Sequence, residues 1–171
     1  MAASLLAACI MDIQSSMVYD YVWWLGGAAG GLLMGGMILA WRRNGVQGYE
    51  GINAVGERLG MSSAQLELLG SVIIFILVQE LLFSKFYGRA DCHAFSVCAL
   101  AEGAVGMGMK EYLVHMLLAF GVLAVVQLLR GNVGRDGNLK NPVPFLPYIT
   151  ITFWINHVIF LLICVEIKIC V

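Results

Sequence analysis

The sequence predicts an all-α integral membrane protein, a bundle of four transmembrane helices. Three observations carry this. Only 12% of the 171 residues are charged, where a soluble domain carries about 25%. The apolar set AVILMFWYC supplies 60% of the chain, and the mean hydropathy is +0.85. The apolar residues also collect into four runs that reach or approach the roughly 20 residues needed to cross a hydrocarbon core. So few charges cannot cover a water-facing surface, so the remaining surface requires lipid.

The length suits one membrane domain, residues 1–171. Before the first span, Met1 to Met11 is apolar but has no Lys or Arg ahead of it, so a secretory signal is poorly supported. Leu6-Ala7-Ala8-Cys9 has the form of a lipoprotein cleavage box, without the charged region and longer apolar run that box needs. The expectation is a short buried or interfacial segment.

Span one runs over 18–41 and is bracketed by Trp23-Trp24 and Trp41, since indole rings favour the headgroup level. Arg42-Arg43 stops it. Span two covers 66–86 and ends at Lys85 and Arg89. Span three covers 112–129, between Lys110-Glu111 and Arg130. It is short, so it tilts little or recruits residues from the Gly-Met stretch before it. Span four covers 148–167, after Pro147, whose missing N–H costs nothing at a helix start. Between spans one and two, Ile52, Val55 and Leu59 share a helical face that can lie on the membrane surface. Residues 88–109 and 131–147 read as loops, the latter rich in Gly, Asn and Pro.

Four spans put both termini on one side. The loops after spans one and three hold Arg42, Arg43, Arg58, Arg130, Arg135 and Lys140, against Lys85, Arg89, Lys110 and Lys168 opposite. The positive-inside bias then places both termini and the cysteine-bearing loop outside. Thiols in an outer compartment can oxidise, which makes Cys92 and Cys98 the local candidates for a disulfide. The competing reading is free thiols in packed surroundings.

The sharpest pattern lies in span one. Gly27, Gly31 and Gly35 are spaced by four, with Gly26 and Gly30 beside them. Residues four apart stack on one face, and glycine there admits another backbone closely. This is the expected helix-packing face. Glu80, His115, Asn156 and His157 are the intramembrane polar candidates. A charged group at mid-bilayer costs about 2.5–3.5 kcal/mol, so Glu80 is either a cation or proton site or a carboxyl bonded to a neighbouring helix. Two intramembrane histidines suggest bis-histidine haem ligation. Yet a stagger approaching about 10 Å between His115 and His157, counted at 1.5 Å per residue, disfavours it.

No catalytic constellation or metal-ligand set is evident, so neither a catalytic residue nor a cofactor is assigned; bound lipid is expected. The net charge of −1, without basic clusters, excludes nucleic acid as a partner.

The stretch from Val18 to Tyr87, with a Gly-rich span, a polar loop and a second span carrying Glu80, is similar to the hairpin of rotary ATPase ring subunits. It departs from that pattern in its longer loop, its glycine doublets and the bulk of Trp23-Trp24.

Three function classes follow. The first is a small structural or accessory subunit of a multisubunit membrane complex. An energy-transducing complex of the mitochondrial inner membrane would suit it, with other membrane subunits as partners. The second is a homo-oligomeric ion or proton channel or transporter with Glu80 in the path. The third is a thiol oxidoreductase using Cys92 and Cys98. The first is the leading expectation, because a chain made mostly of spans, with a glycine face and no reactive constellation, is built to pack.

Overall fold

The computed structural model describes residues 2–15, 18–44, 61–130 and 144–169, and its regular structure there is entirely helical. In chain order the helices are α1 (Ala2–Ser15), α2 (Asp20–Asn44), α3 (Ser63–Leu81), α4 (Arg89–Ala104), α5 (Met109–Leu129) and α6 (Leu146–Ile169). A short 3-10 turn at Phe83–Lys85 follows α3. Four of these helices, α2, α3, α5 and α6, are long and apolar enough to cross a membrane. The protein is an all-α, multi-pass integral membrane protein. The surface helix expected around Ile52, the loop at 131–143 and the side chains of Trp41 and Arg42 lie outside the described residues.

Local chemistry sets the helix starts. The Ser62 hydroxyl accepts from the Gln65 amide at 3.3 Å, while the Gln65 side chain accepts from the Ser62 amide at 2.9 Å. This reciprocal capping satisfies two amides that a helix start leaves free, so α3 begins before the apolar run does. Span three does recruit from the Gly-Met stretch: α5 begins at Met109, and the Glu111 carboxylate accepts from the Gly108 amide at 2.9 Å. Leu146 and Pro147 open α6. Its Leu146 amide donates to Asp12 of α1 at 3.3 Å, a cap supplied from the far end of the chain. The segment expected to be buried or interfacial is helix α1, which buries Leu5 and Ala8 against α2 and α6 and leaves Leu6, Ile10 and Ile13 exposed.

The main correction concerns residues 88–109. They form no loop. Most of the stretch is α4, with ten buried residues out of sixteen. Helix α4 packs against α2, α3, α5 and α6. Its small residues Ala94, Cys98, Ala99 and Ala101 let these neighbours close in. Phe95 anchors it in a ring cluster with Tyr87, Phe120 and Phe145. Because α4 lies between α2 and α3, those two helices do not form the hairpin that the ring-subunit likeness implies.

The contacts also fix helix directions. Trp23 lies beside His93, and Met34 beside Gly103, so α2 and α4 run parallel. Glu80 meets His93 while Val72 meets Gly103, so α3 runs opposite to α4. Phe75 packs against Tyr112 and Gln79 reaches Met116, so α5 runs parallel to α3. Phe120 meets Phe145 and His115 meets Ile149, so α6 runs back against α5. Hence α2 begins and α6 ends at opposite ends of the bundle. Arg130 now joins Lys85 and Arg89 at one end, and Lys110 joins Arg43 at the other. Among the described side chains, three cations thus stand at one end and two at the other.

Asp91, in the first turn of α4 and outside the four spans, carries a pH signature. Burial, with the Asp12 carboxylate of α1 adding repulsion, pushes its carboxyl from 3.8 up to about 7. The folded state therefore binds this proton more tightly than the unfolded chain. The resulting stability is present in full below pH 3.8 and is lost as pH rises through about 7. The thermal midpoint in detergent should fall across that window, and Asp91→Asn should flatten the profile. An unchanged slope in the variant would refute the assignment.

Candidate functional site

Helix α4 brings two carboxylate–histidine pairs into the bundle, one near each end. At its first turns His93 approaches Glu80 of α3, Nδ1 to Oε1, at 2.8 Å. The Ser96 hydroxyl, one turn on, donates to the same oxygen at 3.0 Å. Glu80 is thus not a lone carboxyl. Two partners on one face of α4 hold it, and both members of the pair are about a third exposed (29% and 31%). Beside it, Gln79 is wholly buried, accepts from the Tyr87 hydroxyl and reaches the Met116 sulfur at 3.4 Å.

The second pair is far deeper. Glu102 of α4 and His115 of α5 meet at 3.0 Å, Oε1 to Nδ1, with side chains only 1% and 2% exposed. Asn156 of α6 donates to the same Oε1 at 3.0 Å. The other ring nitrogen of His115 lies 3.1 Å from the Ile149 carbonyl. A carbonyl only accepts, so Nε2 must carry hydrogen. One proton then remains to be shared along the Nδ1···Oε1 line. Mutual pairing of this kind lets a carboxyl and an imidazole share a site away from water. Three helices meet at this one oxygen.

Both His115 nitrogens are therefore engaged, and neither is directed at a ligand. His157 lies beyond Phe153, whose ring is 6.0 Å from His115 and 4.5 Å from His157. The Phe153 ring thus neighbours both imidazoles. Asn156 bonds α4 rather than serving His157.

Cys92 and Cys98 are both free, buried thiols on α4. Six positions of helix separate them by about 9 Å along the axis, beyond the roughly 7 Å limit between bridged Cα atoms. The disulfide expected between them is therefore absent, and its premise, a flexible loop, is gone. Cys164 and Cys170 lie outside the described side chains.

The glycine face divides in two. Gly26 and Gly30 are buried. A Cβ at Gly26 would fall 2.9 Å from the Ser4 hydroxyl and 3.2 Å from Val97, so that position admits α1 and α4 closely. Gly27, Gly31 and Gly35 face open space, with nothing within 4 Å of an added Cβ. The spaced triplet that looked like the packing face is thus the face left uncovered within this chain.

No family model matches this chain, and no curated protein or solved structure matches it significantly. The geometry above is what bears on function.

Sequence reasoning missed His93, Ser96, Glu102 and Gly103, because α4 read as a loop whose polar residues would be solvated. A signal was present. Ala90, Ala94, Cys98 and Ala101 recur at helical spacing, a small-residue seam of the kind that lines helix contacts. Gly103 is tightly enclosed: an added Cβ would lie 2.5 Å from Val72, 3.0 Å from the Tyr112 hydroxyl and 3.3 Å from the Met34 sulfur.

Proposed function

We propose that the chain is a small structural subunit of a larger membrane complex and acts by packing transmembrane helices. One observation carries this reading: the glycine face of α2 is left uncovered by the rest of the bundle. Helix α4 stops at Ala104, while α2 continues to Asn44. Below that point Gly35 and Gly36 are open on the surface, as is Gly31 just above them. A recess of about 580 Å³ beside them is lined by Gly36, Met37, Ala40, Trp154 and His157. Glycines bared toward lipid forgo the side-chain contacts that surround them elsewhere on α2, and a neighbouring helix would supply those contacts. His157 gives such a helix a polar group to bond across the recess.

The test is native electrophoresis of gently solubilised source membranes, with mass spectrometry of the band. Wild-type chain is expected in a band of high mass with several other proteins, which would also name the assembly and its organelle. Gly31→Leu and Gly35→Leu fill the open face without touching the chain's own packing. They should release the chain from that band while its helix content and thermal midpoint hold. Migration of the wild type as a small homo-oligomer would overturn the proposal and return Glu80 to attention as a conduction site.

A further inference from the structure

We infer that the opposite end of α2 carries a phospholipid site selective for a headgroup with a phosphate and a primary ammonium, the phosphoethanolamine type. The site is a groove of about 600 Å³ lined by Asp20, Trp23, Trp24, Gly27, Ala28, Arg89 and His93. Because α2 and α4 run parallel, their first turns lie at one end of the bundle. Asp20 belongs to the first turn of α2, and Arg89 opens α4. Both side chains are exposed. Among the described residues neither has an ion-pair partner within 4.0 Å, including each other. The groove thus presents one cation and one anion, each uncompensated and separated by more than a contact distance.

The rest of the lining fits the same ligand. Trp24 is 79% exposed, and exposed indoles mark the depth of headgroups. Below the charges the floor turns apolar and shallow at Gly27 and Ala28, leaving width for an acyl chain along α2. Arg89 sits where a helix dipole disfavours a cation. A phosphate seated against the guanidinium offsets that penalty through charge-assisted hydrogen bonds. Asp20 then selects the second charge. A primary ammonium donates hydrogen bonds to a carboxylate, whereas a trimethylated one has no N–H to donate. A headgroup with only a phosphate would leave Asp20 repelling it. His93 is held by Glu80 and serves as the wall. The headgroup end of this groove lies at least one turn before Gly31 and Gly35, the glycines assigned to a partner helix.

The full chain in detergent is titrated separately with dioleoyl phosphatidylethanolamine, phosphatidylglycerol and phosphatidylcholine, and retained lipid is read by native mass spectrometry. One ethanolamine lipid should be retained about tenfold more tightly than either of the others, the weight of one good charge-assisted bond. Arg89→Gln should weaken all three lipids. Asp20→Asn should lower only the ethanolamine lipid, to the level of the choline lipid. Both positions are exposed, and an unchanged thermal midpoint in each variant confirms that the fold is kept. Equal retention of the three lipids by wild type would show a bulk lipid shell and overturn the proposal. So would tighter glycerol-lipid binding, or an Asp20→Asn variant with wild-type selectivity.

Discussion

His115→Ala is expected to lower stability by about 3–5 kcal/mol, the usual loss when one member of a buried pair is removed. The substitution leaves the Glu102 carboxyl, 1% exposed, with Asn156 as its remaining side-chain partner and no imidazole to share its proton. Glu102→Ala should cost a similar amount, because His115 then keeps only the Ile149 carbonyl. The two losses should not add. In a double-mutant cycle the combined variant should recover about 0.5–3 kcal/mol, since neither survivor is left unpaired. Glu102→Gln should be mild by comparison. Its amide oxygen still accepts from Asn156, and its amide nitrogen can donate to Nδ1. Denaturant titration in detergent micelles measures all four. Strictly additive losses would show that the 3.0 Å contact contributes nothing to the fold.

Gly103→Val should be as damaging, by overpacking. Even Gly103→Ala places a carbon 2.5 Å from the Val72 methyl, with the Tyr112 hydroxyl and the Met34 sulfur closing the other sides. Crowding of this kind costs about 1–3 kcal/mol for a small addition and more for a larger one. Neither Val72 nor Tyr112 can step aside freely. Val72 is 2% exposed, and the Tyr112 hydroxyl is tied to the Met107 carbonyl at 2.7 Å. Room can be made instead. Val72→Ala in the Gly103→Ala background should restore part of the lost stability, although Val72→Ala alone destabilises. If the second substitution makes the first worse, the clash is not the cause. Gly31→Ala, with nothing within 4 Å of the added carbon, should leave the isolated chain's stability unchanged.

The four spans were legible because length and hydropathy decide them, and neither needs knowledge of neighbours. Their starts were less so. Ser62 and Gln65 cap α3 ahead of its apolar run, and hydropathy does not see a cap. Helix α4 was illegible for a physical reason. Hydropathy measures partitioning into lipid, and α4 meets protein on most sides. Its Glu102 needs only His115 and Asn156 to be tolerated, and those partners lie on helices distant in sequence. Glu80 was legible as an anomaly, but its partners His93 and Ser96 sat in the segment read as loop. The glycine pattern marked the right helix but not which of its glycines the chain itself covers. Spacing shows which residues share a face, while only the packed chain shows that Gly26 and Gly30 are covered and Gly27, Gly31 and Gly35 are open.

The composition of α4 has a consequence for biogenesis. A helix holding Arg89, Asp91, His93 and Glu102 partitions poorly into a bilayer alone, since a charged side chain near the centre costs about 2.5–3.5 kcal/mol. A hairpin with α3, across the short turn that joins them, would pair part of that polarity at entry. On leaving the translocon, that hairpin already unites Glu80 with His93 and Ser96. Glu102 has to wait, because His115 and Asn156 come from helices synthesised later. Until then the nascent chain carries an unanswered carboxyl inside the membrane, a mark by which a quality-control protease or an insertion chaperone can tell an unfinished molecule from a finished one.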